Sequence, residues 1–184
     1  MQFAAMKFKD KLGREVVLRN AEESDAAALI DYLKITTTET PYLIREPEEV
    51  TITLEQEKSF IQRAKDAEKE LLLIAVIDGK HIGNCSLMNI APYKRYSHRC
   101  GLAIALYQEY CGCGIGKIMM ETVLEVAKTI GYEQAELEVI SDNQNAISLY
   151  KNLGFKKYGT FPNNMRYSDG TYANADWMMK KLFY

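Results

Sequence analysis

The sequence predicts an α/β fold in which a mixed central sheet of about seven strands carries helices on both faces. Three observations support this prediction. Amphipathic helical segments alternate along the chain with short runs of β-forming residues. Two of those runs flank Asp78-Gly79, which is among the strongest hairpin signals. A third run leads through the glycine-rich residues 112–116 into a helix, which is typical of a strand–loop–helix unit.

Cap signals indicate where the first two helices begin. Ser24 or Asp25 can cap the first helix, and Thr53 with Gln56 forms a capping box for the second. Residues 36–42 are rich in β-branched hydroxyl residues, so we expect a loop between these helices. Two further helices are predicted at 115–130 and 145–153.

Apolar alternation and turn residues mark the strands. The predicted strands are residues 16–19, 71–77, 82–90, 101–107, 135–140, 155–161 and 175–183, with a polar loop at 162–174. The strand before the glycine-rich segment and the strand after its helix should be parallel, because a right-handed crossover would join them.

Length and composition favour one domain spanning residues 1–184. No apolar run approaches the roughly 20 residues of a membrane span, and residues 1–10 lack a signal peptide's apolar centre, so we expect a cytoplasmic protein without a membrane partner. The formal net charge of -2 argues against nucleic acid as a partner. The four cysteines lack the spacing of a zinc site or a disulfide framework, so free thiols and no metal are expected.

The glycine-rich segment predicts a binding site for an anion. Gly112, Gly114 and Gly116 remove side chains at a helix start, where unpaired N–H groups and a partial positive charge favour a phosphate. The spacing is not the dinucleotide fingerprint, and Ile118 stands where a P-loop has a hydroxyl residue. A tight turn with no ligand is the alternative for the same glycines.

Two stretches of the chain resemble the GCN5-related N-acetyltransferase (GNAT) superfamily. Residues 101–106 and 109–117 are similar to its coenzyme-binding motif, and parts of residues 137–155 are similar to the motif that follows. The order of elements agrees over residues 14–183. The resemblance implies a mostly antiparallel sheet and acetyl-CoA as co-substrate. One position departs from the pattern, because Cys111 replaces the usual Gln or Arg.

The resemblance also implies which residues hold acetyl-CoA. The backbone of the strand before the loop pairs with the pantetheine arm, the loop amides bind the pyrophosphate, and one side chain of the following motif contacts the coenzyme. These positions are Ile104, Ala105, Leu106, Gly112, Cys113, Gly114, Ile115, Gly116, Lys117 and Asn143. Because most donors in such a loop are backbone amides, we expect Cys111 to weaken anchoring without abolishing binding.

Acetyl transfer from a thioester to an amine requires a neutral amine, a polarised carbonyl and a proton for the leaving thiolate. The resemblance puts Tyr150 beside the sulfur, and a phenol is protonated at neutral pH, so Tyr150 is the candidate proton donor. It could instead only pack on the sheet. Glu138 alternates with core-facing Leu137 and Val139, so it is either the base, directly or through water, or a solvated carboxylate. Glu136 shares its face.

The amine acceptor, a small molecule or a peptide, is expected between the loops at 36–46 and 162–172. Their candidate contacts are Tyr42, Tyr167, Tyr172, Glu39, Glu46 and Asp169. The sequence does not choose among a polyamine, an amino acid, an antibiotic and a protein N-terminus. A homodimer is also left open, with residues 175–183 as the candidate edge strand.

Other functions and mechanisms remain as alternatives. The chain could be a non-catalytic acyl-CoA binding or sensing module, which the departure at Cys111 motivates, or a structural domain without a nucleotide ligand.

Thiols at a helix N-terminus can have a lowered pKa, so Cys111 and Cys113 make covalent catalysis conceivable, although direct transfer in a ternary complex needs fewer steps. His81 and His98 lack a partner spacing for metal binding or nucleophilic catalysis, which favours structural roles.

Overall fold

The computed structural model describes residues 1–183, which form one eight-stranded sheet and four α-helices. The strands are β1 (Met6–Lys9), β2 (Glu15–Asn20), β3 (Leu71–Ile77), β4 (Lys80–Asn89), β5 (Arg99–Leu106), β6 (Gln134–Ile140), β7 (Lys156–Arg166) and β8 (Tyr172–Lys181). The helices are α1 (Ala26–Glu39), α2 (Leu54–Asp66), α3 (Ile115–Thr129) and α4 (Gln144–Asn152). Within the described residues, no helix is both long and apolar enough to cross a membrane.

The sheet has the order β1-β2-β3-β4-β5-β6-β8-β7, and its β5–β6 pair is parallel while the other pairs are antiparallel. The predicted parallel pair and the mixed, mostly antiparallel sheet are therefore confirmed. The expected count of about seven strands missed β1. This strand has only four residues, lies at the edge of the sheet and pairs with β2 alone. Because it is not buried on both faces, its sequence lacks the apolar run that would have predicted a strand.

Helices cover both faces of the sheet, as predicted. One face of β3, formed by Leu72, Ile74 and Val76, packs against Leu29 of α1 and Ile61 of α2. The opposite face supports the main core, to which α3 contributes Ile115, Met119 and Val123, and α4 contributes Ile147 and Tyr150. Alternate residues along a strand point to opposite faces, so a single strand serves both layers.

Local signals located several elements correctly. Asp78 and Gly79 have φ angles of 49° and 78°, the left-handed values that a two-residue hairpin turn needs. The capping box predicted at the start of α2 is present, because the Thr53 side chain accepts from Gln56 N and the Gln56 side chain accepts from Thr53 N.

The predicted loop at 36–42 is wrong over its first half, because α1 continues to Glu39. The threonine hydroxyls bond back along the helix: Thr36 Oγ1 donates to Tyr32 O at 2.7 Å and Thr37 Oγ1 donates to Leu33 O at 2.9 Å. These bonds satisfy the hydroxyls inside the helix and offset the low helix propensity of β-branched residues. The helix then ends before Pro41, which disfavours helical geometry in the preceding residue.

The polar loop predicted at 162–174 is also wrong, because most of it is strand. β7 extends to Arg166 and β8 begins at Tyr172, and a register irregularity between Phe161 and Met165 absorbs extra residues. β8 lies between β6 and β7, so it cannot be the edge strand through which a second subunit would pair. The homodimer itself stays a prediction.

Candidate active site

The central feature of the site is a separation between the two parallel strands. β5 pairs with β4 along its length up to Leu106, but its pairing with β6 stops at Gly101–Glu136. Residues 102–106 of β5 therefore make no strand pairing with β6, and residues 137–140 of β6 pair only with β8. The sheet has an opening here, edged by the backbone of β5.

The glycine-rich segment lies at the end of β5, beside this opening. Gly112 and Gly114 have φ angles of 77° and 87°, and Gly114 is the N-cap residue of α3. Both conformations favour glycine over any residue with a Cβ. A Cβ at Gly116 would lie 3.4 Å from Leu106 and 3.7 Å from Leu149, so this glycine sits where β5, α3 and α4 converge. The predicted junction of strand, loop and helix is confirmed.

Tyr150 lies on α4, on the α3 side of the sheet. It is buried, with its ring centroid 6.0 Å from that of Phe155. Burial raises the pKa of Tyr150 to about 12, so the phenol is protonated at neutral pH. Its predicted proton-donating role needs this state.

Asn143 caps the helix that carries Tyr150. Its Oδ1 accepts a hydrogen bond from Ala146 N at 3.1 Å, which satisfies one of the free amides at the start of α4. The oxygen of Asn143 thus has a partner within the protein, whereas no hydrogen bond is made by its amide nitrogen among the described residues.

Glu138 faces the opposite side of the sheet from Tyr150. Its Oε1 accepts from Asn164 Nδ2 at 2.9 Å and its Oε2 accepts from Trp177 Nε1 at 2.8 Å. Both donors are neutral, so the carboxylate is oriented without being matched by a cation. Glu138 lies two residues past the last β5–β6 pair, so it borders the opening on the face of the sheet opposite Tyr150.

Glu136 is bound in a different way, although it shares this face. Arg99 Nη2 donates to Glu136 Oε2 at 2.6 Å, and Gln134 Nε2 donates to Oε1 at 2.7 Å. Burial alone would raise the pKa of Glu136, but these partners hold it below its usual value. Glu136 is therefore a paired carboxylate, and its lowered pKa makes it a weak base.

The two predicted acceptor loops do meet in space. Tyr42 from the α1–α2 connection and Tyr167 from the β7–β8 turn pack against the same cluster, which contains Ile140 and Ala175. This cluster lies at the end of β6 that carries Glu138. Tyr172 is exposed and lies beside the Arg166 guanidinium.

The three predicted acidic contacts have partners in the protein. Glu39 Oε2 accepts from Gln108 N at 2.9 Å and ties the end of α1 to the segment before the glycine loop. Glu46 closes a capping box with Glu49, and Asp169 accepts from Thr171 within the β7–β8 turn. Each therefore has a structural role within the protein.

Three aromatic side chains extend from Glu138 across the open face of β7 and β8. The Trp177 ring centroid lies 6.1 Å from that of Tyr158 and 5.9 Å from that of Phe161. All three side chains are exposed. Sequence reasoning missed Trp177 and Asn164 because their contact with Glu138 depends on strand pairing, for which the sequence held no local signal.

All four cysteines are free thiols, as expected. The covalent alternative is disfavoured at Cys111, because partial desolvation of its thiol and the nearby Glu39 carboxylate raise its pKa. Its Sγ contacts Tyr107 O at 3.7 Å. Among residues 1–183, no group of three or more His, Cys, Asp or Glu side chains is arranged to hold a metal ion.

The comparison with protein families agrees with this geometry. The model of the Acetyltransferase (GNAT) family matches residues 31–155, which include the glycine loop, Glu138 and Tyr150. The chain belongs to the GNAT acetyltransferase family. It is an enzyme that catalyses acetyl transfer to an amine, and the non-catalytic binding module is not supported.

Two relatives match this GNAT chain over most of its length. The L-amino acid N-acetyltransferase AaaT of Escherichia coli (strain K12) is 25% identical over 90% of this chain and 98% of its own. An N-alpha-acetyltransferase of Sulfurisphaera tokodaii is 26% identical over 85% of this chain and 87% of its own.

Solved structures share the fold. A GNAT acetyltransferase from Streptococcus pneumoniae superposes with a TM-score of 0.86 and 26% identity, covering 90% of this chain and 99% of that one. A putative acetyltransferase from Salmonella typhimurium, solved with its cofactor acetyl-CoA, has a TM-score of 0.81 and 16% identity, covering 92% and 95%.

Proposed function

We propose that this GNAT enzyme acts as one domain over residues 1–184 and moves the acetyl group of acetyl-CoA directly to the primary amine of an amino acid or a peptide N-terminus. The observation that carries this proposal is the opening between β5 and β6. A glycine loop lies at its end, the protonated phenol of Tyr150 lies on one face of the sheet, and the oriented Glu138 carboxylate lies on the other.

The donor would bind along the separated strand. Residues Ile104, Ala105 and Leu106 have backbone groups on the β6 side that are outside the ladder, and these can pair with the amides of the pantetheine arm. The amides of the loop and of the first turn of α3, residues 112–117, would hold the pyrophosphate. Asn143 would add a contact from the start of α4.

The proton transfers divide between the two faces. Glu138 takes a proton from the ammonium form of the acceptor, so that its nitrogen can attack the acetyl carbonyl. The C–N bond forms as the C–S bond breaks, and Tyr150 donates its proton to the departing sulfur. The second proton of the attacking nitrogen passes through solvent to the Tyr150 phenolate, and Glu138 releases the first one to bulk water. Because both groups flank one opening, a ternary complex suffices and no acyl-enzyme is required.

The open face beside Glu138 would take the rest of the acceptor. Trp177, Tyr158 and Phe161 offer apolar surface, and the carboxylate beside them attracts an ammonium group. The relatives' names support both an amino acid and a protein N-terminus as the acceptor class.

Thiol release from acetyl-CoA, measured over a panel of free amino acids, amino-acid amides and short peptides, tests the proposal. We expect turnover with at least one class, and losses of about 100-fold or more in kcat/KM for Glu138→Gln and in kcat for Tyr150→Phe. Glu125→Gln, an exposed carboxylate on α3, is the matched control and should keep wild-type activity. Wild-type rates in both site variants would contradict the assigned roles.

A further inference from the structure

The turn between β1 and β2, residues 10–14, contacts the glycine loop directly. The backbone N–H of Lys11 donates to Cys113 O at 2.9 Å. The side-chain carbons of Lys11 lie between 3.3 and 3.7 Å from the position that a Cβ would occupy at Gly114. The turn therefore contacts the two residues that immediately precede α3, although about 100 residues of chain separate them.

A buried carboxylate fixes the shape of this turn. The side chain of Asp10 is 0% exposed. Its Oδ1 accepts from the backbone N–H groups of Leu12 and Arg14, both at 2.9 Å, and its Oδ2 accepts from Arg14 Nε at 2.7 Å. A carboxylate that is satisfied by two backbone amides and a guanidinium holds its surroundings in one geometry.

Arg14 connects the same turn to the other end of the loop. Its guanidinium carbon lies 4.9 Å from the ring centroid of Tyr110, which is buried in the short helical turn just before the glycine loop. A cation over an aromatic face is attracted to it, most strongly where water is partly excluded. Residues 110–114 are therefore held at both ends by one turn of the β1–β2 hairpin.

The bond from Lys11 has a directional consequence for the loop. In a trans peptide the carbonyl and the following N–H point in opposite directions. Because Cys113 O accepts from the β1–β2 turn, the N–H of Gly114 points away from that turn and is left as a donor for a ligand. Preset donors bind an anion without the free-energy cost of ordering them on binding.

We propose that the Asp10–Arg14 turn is a positioning element for the pyrophosphate of acetyl-CoA and supplies rigidity to a loop in which Cys111 replaces the usual polar anchor. The proposal rests on the proposed function, since it assumes that the loop binds this pyrophosphate. Arg14 acts through the loop and touches neither the substrate nor the reacting atoms.

The test compares two acetyl donors, acetyl-CoA and S-acetylpantetheine, which has the same thioester arm but no phosphate. For Arg14→Met we expect KM for acetyl-CoA to rise about tenfold, with kcat at saturation within twofold of wild type. We expect kcat/KM for S-acetylpantetheine to stay unchanged. Arg14→Lys, which keeps the charge but not the planar fork, should restore part of the loss.

Lys7→Met is the matched control, because Lys7 pairs with Glu15 at 2.9 Å in the same hairpin on an exposed face away from the loop. It should leave both donors unaffected. Equal losses with the two donors, or no change with either, would overturn the proposal. If Arg14→Met does not fold, Asp10→Asn replaces it with the same expected split between donors. If wild-type enzyme does not prefer acetyl-CoA to S-acetylpantetheine, the proposed use of the loop fails, and this inference fails with it.

Discussion

Trp177 and Glu138 stand directly opposite each other on β8 and β6, and the indole N–H donates to the carboxylate at 2.8 Å. Asn164 occupies the other carboxylate oxygen. The proposed base is thus held in one orientation by two neutral donors, one from each of the last two strands. Its position depends on how the end of the chain folds back onto β6.

Trp177→Phe should weaken catalysis while keeping the fold. The phenyl ring retains most of the apolar contact with Tyr158 and Phe161 but removes the donor to Glu138. A hydrogen bond to a charged group contributes about 1.5–3 kcal/mol, so we expect kcat/KM for the amine to fall about tenfold or more. Steady-state kinetics with varied amine measures this. Phe60→Leu, which alters an exposed aromatic residue on α2, is the control and should leave the kinetics unchanged.

The dependence of kcat on pH should show deprotonation of Tyr150 only in strongly alkaline solution. Because burial raises its pKa to about 12, the phenol keeps its proton through pH 10, and kcat should show no alkaline loss from this group between pH 8 and 10. Tyr150→Phe should lower kcat throughout that range while the Kd for acetyl-CoA stays within about threefold. Tyr93→Phe, at an exposed tyrosine in the β4–β5 connection, provides the comparison. An alkaline limb near pH 9 that disappears in Tyr150→Phe would argue against the assignment.

Alanine variants of two glycines can distinguish the effect of backbone strain on stability from the effect of the glycine loop on coenzyme binding. Gly114 and Gly131 have φ angles of 87° and 90°, so alanine at either position should destabilise the fold by about 1–2 kcal/mol. Gly131 follows the far end of α3, away from the loop. We therefore expect both variants to lower Tm, and only Gly114→Ala to raise KM for acetyl-CoA. Thermal unfolding and steady-state kinetics on the two variants check this. A matched rise in KM for Gly131→Ala would mean that general destabilisation, and not the loop, controls binding.

His81 should make the fold sensitive to acid. It is buried beside Tyr32, neither ring nitrogen has a hydrogen-bond partner among the described residues, and burial lowers its pKa to about 4. The unfolded chain takes up a proton near pH 6.5 and the folded one only near pH 4, so stability falls as pH drops through this window. The maximum loss from this group is about 3 kcal/mol. Urea unfolding between pH 7 and 4 should show a shallower loss for His81→Phe than for wild type or His98→Gln.

The sequence predicted correctly those features of the fold and the site that depend on residues close together in the chain. The glycine loop, the Asp78-Gly79 hairpin and the capping box at Thr53 each need only a few consecutive residues, so their chemistry is visible in the chain itself. The helical end of α1 was mispredicted because the bonds from Thr36 and Thr37 to preceding carbonyls reverse the usual tendency of β-branched residues.

The remaining features depend on contacts between distant segments. Whether Glu138 is oriented or solvated is decided by Trp177 and Asn164. Glu136 differs from it because Arg99, on the neighbouring strand β5, and Gln134 donate to its carboxylate. The β1–β2 turn has no glycine motif or apolar stripe that links it to residues 110–114. Such relationships arise from strand order and register, which single-sequence periodicity does not specify.

The separation of β5 from β6 has a consequence for how the sheet holds together. Where two inner strands part, the sheet consists of two halves joined by the short Arg99–Gly101 ladder and by the packing of α3 and α4. In the proposed complex the pantetheine arm acts as a surrogate strand that fills the missing part of the ladder. Saturating acetyl-CoA should then slow amide hydrogen exchange along residues 102–106. Binding of the donor would thereby join the two halves of the sheet into one cooperative unit.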